Sequence, residues 1–290
     1  AEFALKSGTS QKLKVFSLDK TGRRIAELSE GLTWEKWIPP TAKVKVKVDA
    51  EISSDGVLVA SSDAKLSAGA LRVTDGKVFG VARGRILQDL PYVENFEDSF
   101  VLSQTSSDDI PFSYPPLPWL GARMRWQIQE SDGNKIAGNT LDKVLFQRAM
   151  NFVGHKDMSN YTVEADVMTD GNRRIKSTIG LVNQRYIVAL VGNWQKLEVF
   201  SNYDRFKVSV PFSIKTNTWY HLKTRVDIAS DGSGVIRAKA WEKGSDEPEA
   251  WTIEAPHANA HKQGSPGIYA LSPQSLKKVY IDNISVTSNN

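Results

Sequence analysis

Along most of this chain, hydrophobic and polar positions alternate with a period of two. No segment carries the 3.6-residue period of an amphipathic helix. Leu13 to Leu18 reads as a strand closed by the turn Asp19-Lys20-Thr21-Gly22. Thr41 to Val48 alternates throughout, which predicts a strand with Val44, Val46 and Val48 inward and Lys43, Lys45 and Lys47 in water. Charge on such a strand guards a sheet edge against pairing with another chain. Asp55-Gly56 and Asp75-Gly76 mark further turns. The prolines at 111, 115, 116 and 118 forbid a central strand and predict a long surface loop. From Trp126 onward short strands follow one another, separated by turns such as Asp132-Gly133, Asp170-Gly171-Asn172 and Ser230-Asp231-Gly232. The pattern predicts an all-β protein.

One strand carries the most chemistry. In Asn160 to Thr169, NYTVEADVMT, Val163, Ala165 and Val167 alternate with Glu164, Asp166 and Met168, so both acids share one face. Two carboxylates about 5 Å apart are the spacing that retaining sugar cleavage needs. The same two acids would equally serve as salt-bridged charges on a solvated sheet face. Alternation gives the same double meaning to Arg225 and Arg237, which fall on polar faces of strands near Trp219–Asp227 and Val235–Trp241. Such bases form cross-strand charge pairs, or they bind acidic or sulfated sugar units.

Composition narrows the classes. The chain has no Cys, so disulfides and thiolate metal sites are excluded. No apolar run approaches the roughly 20 residues that span a bilayer. Net charge is +4, and the excess lies in residues 1–90, with 15 Lys and Arg against 11 Asp and Glu. That excess is too interspersed with acid to indicate nucleic-acid binding. Eight Trp and eight Tyr supply either core or platforms for sugar rings.

From Asn95 to Thr287 the chain resembles the concanavalin A-like lectin/glucanase (laminin G-like) superfamily. The residues that carry the likeness are Tyr161-Thr162-Val163-Glu164, Gly180-Leu181-Val182 followed by Arg185-Tyr186, Trp219-Tyr220-His221-Leu222-Lys223, and Asp282-Asn283-Ile284-Ser285-Val286. Enzymes of that superfamily place three acids at alternate positions of one strand, and here the third position holds Met168. Residues Gln11 to Leu87 resemble a bacterial immunoglobulin-like domain, commonly a spacer. The pair of domains resembles the C-terminal region of secreted bacterial β-propeller proteins with PQQ-like repeats. The resemblance implies an immunoglobulin-like β-sandwich over residues 1–90 followed by a concanavalin A-like jelly-roll sandwich over 91–290.

The function to expect is therefore a non-catalytic carbohydrate-binding or adhesion module of a larger exported bacterial protein, secreted, periplasmic or at the cell surface. Its partner would be a polysaccharide or glycan, with an anionic one suited to the bases. Two alternatives stand beside it: a glycoside hydrolase-like enzyme using Glu164 and Asp166, and a structural or protein-interaction module with no sugar site. Arg185, Trp194 and Trp241 are the leading sugar contacts, followed by Tyr186, Asn183, Glu164, Asp166, Arg225 and Arg237. Amides and Arg forks match vicinal hydroxyls, and aromatic faces stack on pyranose rings. A structural Ca2+ is the one cofactor the superfamily suggests. Glu97, Asp98 and Asp282 are its candidate oxygen ligands.

Overall fold

A computed structural model describes residues 2–97, 104–106, 109–140, 147–172, 174–272 and 277–289. The chain divides into two compact units, Ala1–Asp89 and Leu90–Asn290. Both are built of strands, as the alternation requires. Among the described residues no helix is long and apolar enough to cross a membrane.

Unit 1 contains β1 (Glu2–Lys6), β2 (Ser10–Lys12), β3 (Val15–Leu18), β4 (Arg24–Leu28), β5 (Thr33–Trp37), β6 (Glu51–Ile52), β7 (Val57–Val59), β8 (Ser67–Thr74) and β9 (Phe79–Leu87). One sheet runs β1-β9-β8-β5, a second β2-β7-β6, and β3 pairs only with β4. The predicted lysine strand is absent: residues 41–48 pair with no sheet. Val44 and Val46 are exposed and Val48 alone is buried, in a core with Phe3, Leu5, Leu58, Leu71 and Ile86. Alternation supplies the faces of a strand, but without a neighbour to bond it the backbone stays irregular.

Unit 2 contains β10 (Tyr92–Glu94), β11 (Gln104–Thr105), β12 (Pro111–Phe112), β13 (Trp126–Ser131), β14 (Asn134–Asn139), β15 (Arg148–Phe152), β16 (Tyr161–Thr169), β17 (Thr178–Asn183) and β18 (Tyr186–Val191). It continues with β19 (Lys196–Ser201), β20 (Lys207–Pro211), β21 (Trp219–Ile228), β22 (Gly234–Glu242), β23 (Ile253–His257), β24 (Gly267–Leu271) and β25 (Val279–Ser288). Two sheets dominate. One is eight-stranded, in the order β13-β14-β25-β16-β21-β22-β23 with β10 alongside β25; the other is six-stranded, in the order β15-β24-β17-β18-β19-β20. Val163, Ala165 and Val167 from the first sheet and Ile179, Leu181, Val188 and Leu190 from the second are fully buried between them. Each valine, leucine or isoleucine among them contributes roughly 1.5–3 kcal/mol on burial. The edge strands β20 and β23 carry Pro211 and Pro256.

The outward faces of the two sheets differ. On the eight-stranded sheet the outward residues of β21 are part-exposed, as for an ordinary solvated face. On the six-stranded sheet the outward residues Val182, Ile187, Ala189 and Tyr269 are buried. Met150, Phe152, Val191, Phe200 and Leu271 pack over them. That face is recessed and carries a second apolar cluster of its own.

Candidate active site

The antiparallel registers place three rows of side chains on the recessed face. The outer rows run from Arg148 to Lys196 and from Phe152 to Phe200 and Lys207, and the central row contains Met150, Tyr269, Gly180, Ala189 and Glu198. Gly180 and Ala189 leave a low floor between Tyr269 and Glu198. The Tyr269 ring packs edge-on against Phe200 at 6.0 Å, and the Arg148 guanidinium lies 6.0 Å from its centroid. Burial pushes the Tyr269 hydroxyl above the ordinary tyrosine range, with Glu198 adding to the shift and Arg148 opposing it. The phenol therefore keeps its proton at neutral pH. Glu198 is buried and ion-paired to Lys196, and to Lys207 at 3.2 Å. A cavity of about 210 Å³ opens on the same face, lined by Met150, Phe152, Lys156, Arg185 and Tyr203 among others. Met150 faces Tyr269 across the β15–β24 pairing, so the cavity starts one strand away from the phenol.

On the opposite, eight-stranded face Glu164 and Asp166 do share a side, as the alternation predicts. His221 of β21 lies between them. Its Nδ1 is 2.9 Å from Asp166 Oδ1 and its Nε2 is 3.4 Å from Glu164 Oε2. Lys243 meets Asp166 at 2.6 Å, and Lys223 meets Glu164 at 3.2 Å and Glu247 at 3.1 Å. The pairing of β16 with β25 shifts register between Glu164 and Asp166, and Asn283 there has φ 49°. This bulge turns the Asn283 amide to donate to Asp166 at 2.8 Å. Burial pushes the Asp166 carboxyl up, but hydrogen bonds from His221, Lys243 and Asn283 outweigh it and hold the group at about 2. Burial likewise opposes the His221 charge, but the two carboxylates raise the imidazole to about 9. The hydrogen bond from His221 also lowers Glu164. Both acids are therefore ionised and already partnered, whereas a glycosidase's general acid must hold its proton at the working pH.

The expected sugar contacts do not converge. Trp241 packs on His221 at 4.7 Å. Arg225 and Arg237 are spent on Asp227, at 2.8 and 2.6 Å. Trp194 is 77% exposed in a 3-10 turn, Gly192–Trp194, and is not among the residues lining the cavity. Asn183 is fully buried and turned inward, donating to the carbonyls of Tyr161 at 2.9 Å and Thr224 at 3.2 Å. It ties the two sheets together and faces no ligand. Asn183→Ala is expected to cost about 1–3 kcal/mol in urea unfolding, because two buried carbonyls lose their donor. Tyr186 is also buried, its hydroxyl 2.7 Å from His257 Nδ1 and accepting from the His261 backbone N–H at 3.0 Å. Arg185 alone of the nine lies at the cavity.

Arg148, Glu198, Lys207 and Tyr269 were missed. Tyr269 stands in the apolar strand GIYAL, where a tyrosine reads as core. Of the expected calcium ligands, Glu97 accepts from the Lys135 backbone N–H at 2.7 Å, and Asp282 accepts from Asn134 at 3.0 Å. Asp98 lies outside the described residues. Among the described residues no three His, Asp or Glu groups are placed to hold a metal ion.

No family model and no curated protein matches this sequence. Solved structures do resemble it. The alginate lyase Aly36B, solved with an alginate trisaccharide, is 14% identical over 68% of this chain and 98% of its own, with a TM-score of 0.44. The Crh5 transglycosylase is 12% identical over 70% and 85%, with a TM-score of 0.40. The endo-beta-1,4-glucuronan lyase of Trichoderma reesei is 12% identical over 68% and 94%, with a TM-score of 0.37. At these identities the likeness concerns the fold, a jelly-roll sandwich of the lectin/glucanase kind. Against the expectation of a non-catalytic binding or adhesion module, these three neighbours are enzymes, while a galectin, LEC-6 of Caenorhabditis elegans, also shares the fold.

Proposed function

We propose that this chain is a carbohydrate-active enzyme that cleaves glycosidic bonds in a polysaccharide held against the six-stranded sheet. The observation that carries this reading is the grouping of a buried, protonated Tyr269, the neighbouring Arg148 guanidinium and the Glu198 carboxylate on one recessed face. A water-excluded phenol is a proton donor for the leaving glycosidic oxygen, and a carboxylate takes up the proton released by attacking water or by a sugar C–H. Among the described residues Glu198 is the one carboxylate in these strand rows. The arrangement therefore differs from the two-carboxylate glycosidase pattern. Arg148, Lys196 and Lys207 outnumber Glu198, which suits an anionic chain better than a neutral one.

The test is incubation of the purified chain with neutral and uronate-containing polysaccharides, following new reducing ends and ultraviolet absorbance of unsaturated products. Reducing ends without absorbance mean hydrolysis, and both together mean elimination. Neither signal on any polymer removes the reading.

A second reading places the reaction at Glu164, Asp166 and His221. It is favoured by the strongly displaced titration of that group, a common mark of functional sites. The strand order of unit 1, β1-β9-β8-β5 with β2-β7-β6, supports reading it as an immunoglobulin-like spacer. A polymeric substrate outside the cell would also require export.

A further inference from the structure

Arg185 sits at the tip of the β17–β18 hairpin in a conformation that side chains avoid. Gln184 has φ 46° and Arg185 φ 75°. Two-residue hairpin turns of this form normally carry Asn and Gly, because both central residues need positive φ. Here the surroundings hold the turn in place. The buried Gln184 donates its backbone N–H to Tyr161 Oη at 2.9 Å and its amide N–H to the His261 carbonyl at 2.9 Å. Its amide oxygen accepts from the Asn160 N–H at 2.5 Å. Gly264 lies so close that an added Cβ would come within 3.0 Å of the Gln184 carbonyl carbon and of Arg185 Cγ. Strained backbone of this kind persists where its surroundings over-determine it, and such positions cluster at functional sites.

The hairpin presents an exposed guanidinium. It stacks over the ring of Tyr203 at 5.1 Å, and Tyr203 is itself 66% exposed. Among the described residues no carboxylate pairs with Arg185, whereas on the other sheet Arg225 pairs with Asp227 and Arg237 with Asp227 and Glu254. Arg185 and Tyr203 line the cavity of about 210 Å³ together with Lys156, Asn202, Phe152 and Ile187. That volume is below the usual range for larger ligands and suits a single sugar ring.

We propose that Arg185 and Tyr203 form a subsite for one anionic sugar unit, the guanidinium clamping its carboxylate or sulfate and the aromatic ring meeting its apolar face. The subsite rests on the reading of the six-stranded face as the polysaccharide face. It adds the chemical class of the unit bound there.

The experiment is titration calorimetry of the full chain with an oligogalacturonate, a sulfated oligosaccharide and a neutral cello-oligosaccharide of equal length. It is repeated on Arg185→Gln, Arg185→Lys and Tyr203→Ala. The expected result is at least tenfold tighter binding of one anionic oligomer than of the neutral one. Whichever anion binds names the source. Arg185→Gln should lose at least tenfold with Tm unchanged, and Arg185→Lys should recover part of the loss, since an ammonium keeps the charge without the fork. Equal binding of neutral and anionic oligomers overturns the proposal, as does unaltered binding by Arg185→Gln. If Arg185→Gln does not fold, Tyr203→Ala decides on the same criterion. Cleavage of neutral polymer with no anionic binding removes the subsite and leaves the enzyme reading intact. Arg185-dependent anionic binding without cleavage of any polymer does the reverse.

Discussion

Tyr269→Phe is expected to lower polysaccharide cleavage by about 10²–10⁴-fold, the usual contribution of a positioned proton donor, while the protein stays folded. The substitution removes one oxygen and keeps the ring. Tyr269 is 3% exposed and packed on Phe200, and those contacts survive. The neighbouring Arg148 guanidinium is exposed and stays solvated, so stability should change by about 1 kcal/mol or less. Burial raises the Tyr269 pKa above its ordinary 10.0, which places the alkaline fall in activity above that value. The assay is initial rate against pH on the polymer found active, alongside thermal unfolding of both proteins. Retained activity in Tyr269→Phe combined with its loss in Glu164→Gln would move the reaction to the eight-stranded face.

The second large effect is on stability. Asp166→Ala should destabilise unit 2 by about 3 kcal/mol in urea denaturation at neutral pH. Asp166 is 4% exposed and accepts from His221, Lys243 and Asn283, so its removal strands an imidazolium and an ammonium. Breaking a buried pair from one side costs about 3–5 kcal/mol, and the lower end applies because His221 and Lys243 are partly in water. The same contacts set a pH window. His221 has a folded pKa of about 9 against an unfolded 6.5. Its stabilisation is complete below 6.5 and is lost as pH rises through about 9. Asp166 is lowered from 3.8 to about 2, so its contribution is present above 3.8 and is lost as pH falls through about 2. The two shifts report one shared contact and are not additive. Wild-type urea midpoints should fall between pH 7 and pH 10, and the fall should be largely absent in Asp166→Ala. A parallel fall in both proteins would remove His221 as its cause.

The β16 strand was fully legible in the sequence. Val163, Ala165 and Val167 are buried, and Glu164 and Asp166 share the outward side, because a period of two is enforced by backbone geometry alone. What alternation cannot show is the neighbour. His221 lies 55 residues from Asp166 and reaches it only because β21 pairs beside β16. Pairing likewise decided against the lysine strand at 41–48, whose pattern was ideal and whose backbone found no partner. Tyr269 and Glu198 were illegible for a different reason. They point outward yet are as buried as the inward residues beside them on β24 and β19, so burial and hydrophobicity do not separate core from site at these two positions. Arg185 was readable as a candidate, but its two left-handed backbone angles depend on Gln184 and Gly264, which pattern alone does not mark.

The two prolines on β20 and β23 bear on how the protein behaves at high concentration. Both strands end their sheets, on the same side of the sandwich, at the positions where an extended segment from another molecule would add by backbone hydrogen bonding. Proline has no N–H to offer such a segment, and Lys207 places a charge on the same strand. That flank therefore resists intermolecular β-sheet growth, whereas on β13 and β15 the edge is covered by the chain itself, through backbone bridges from Ser113 to Ile128 and from Leu120 to Phe152, so growth there first requires the 113–120 segment to detach.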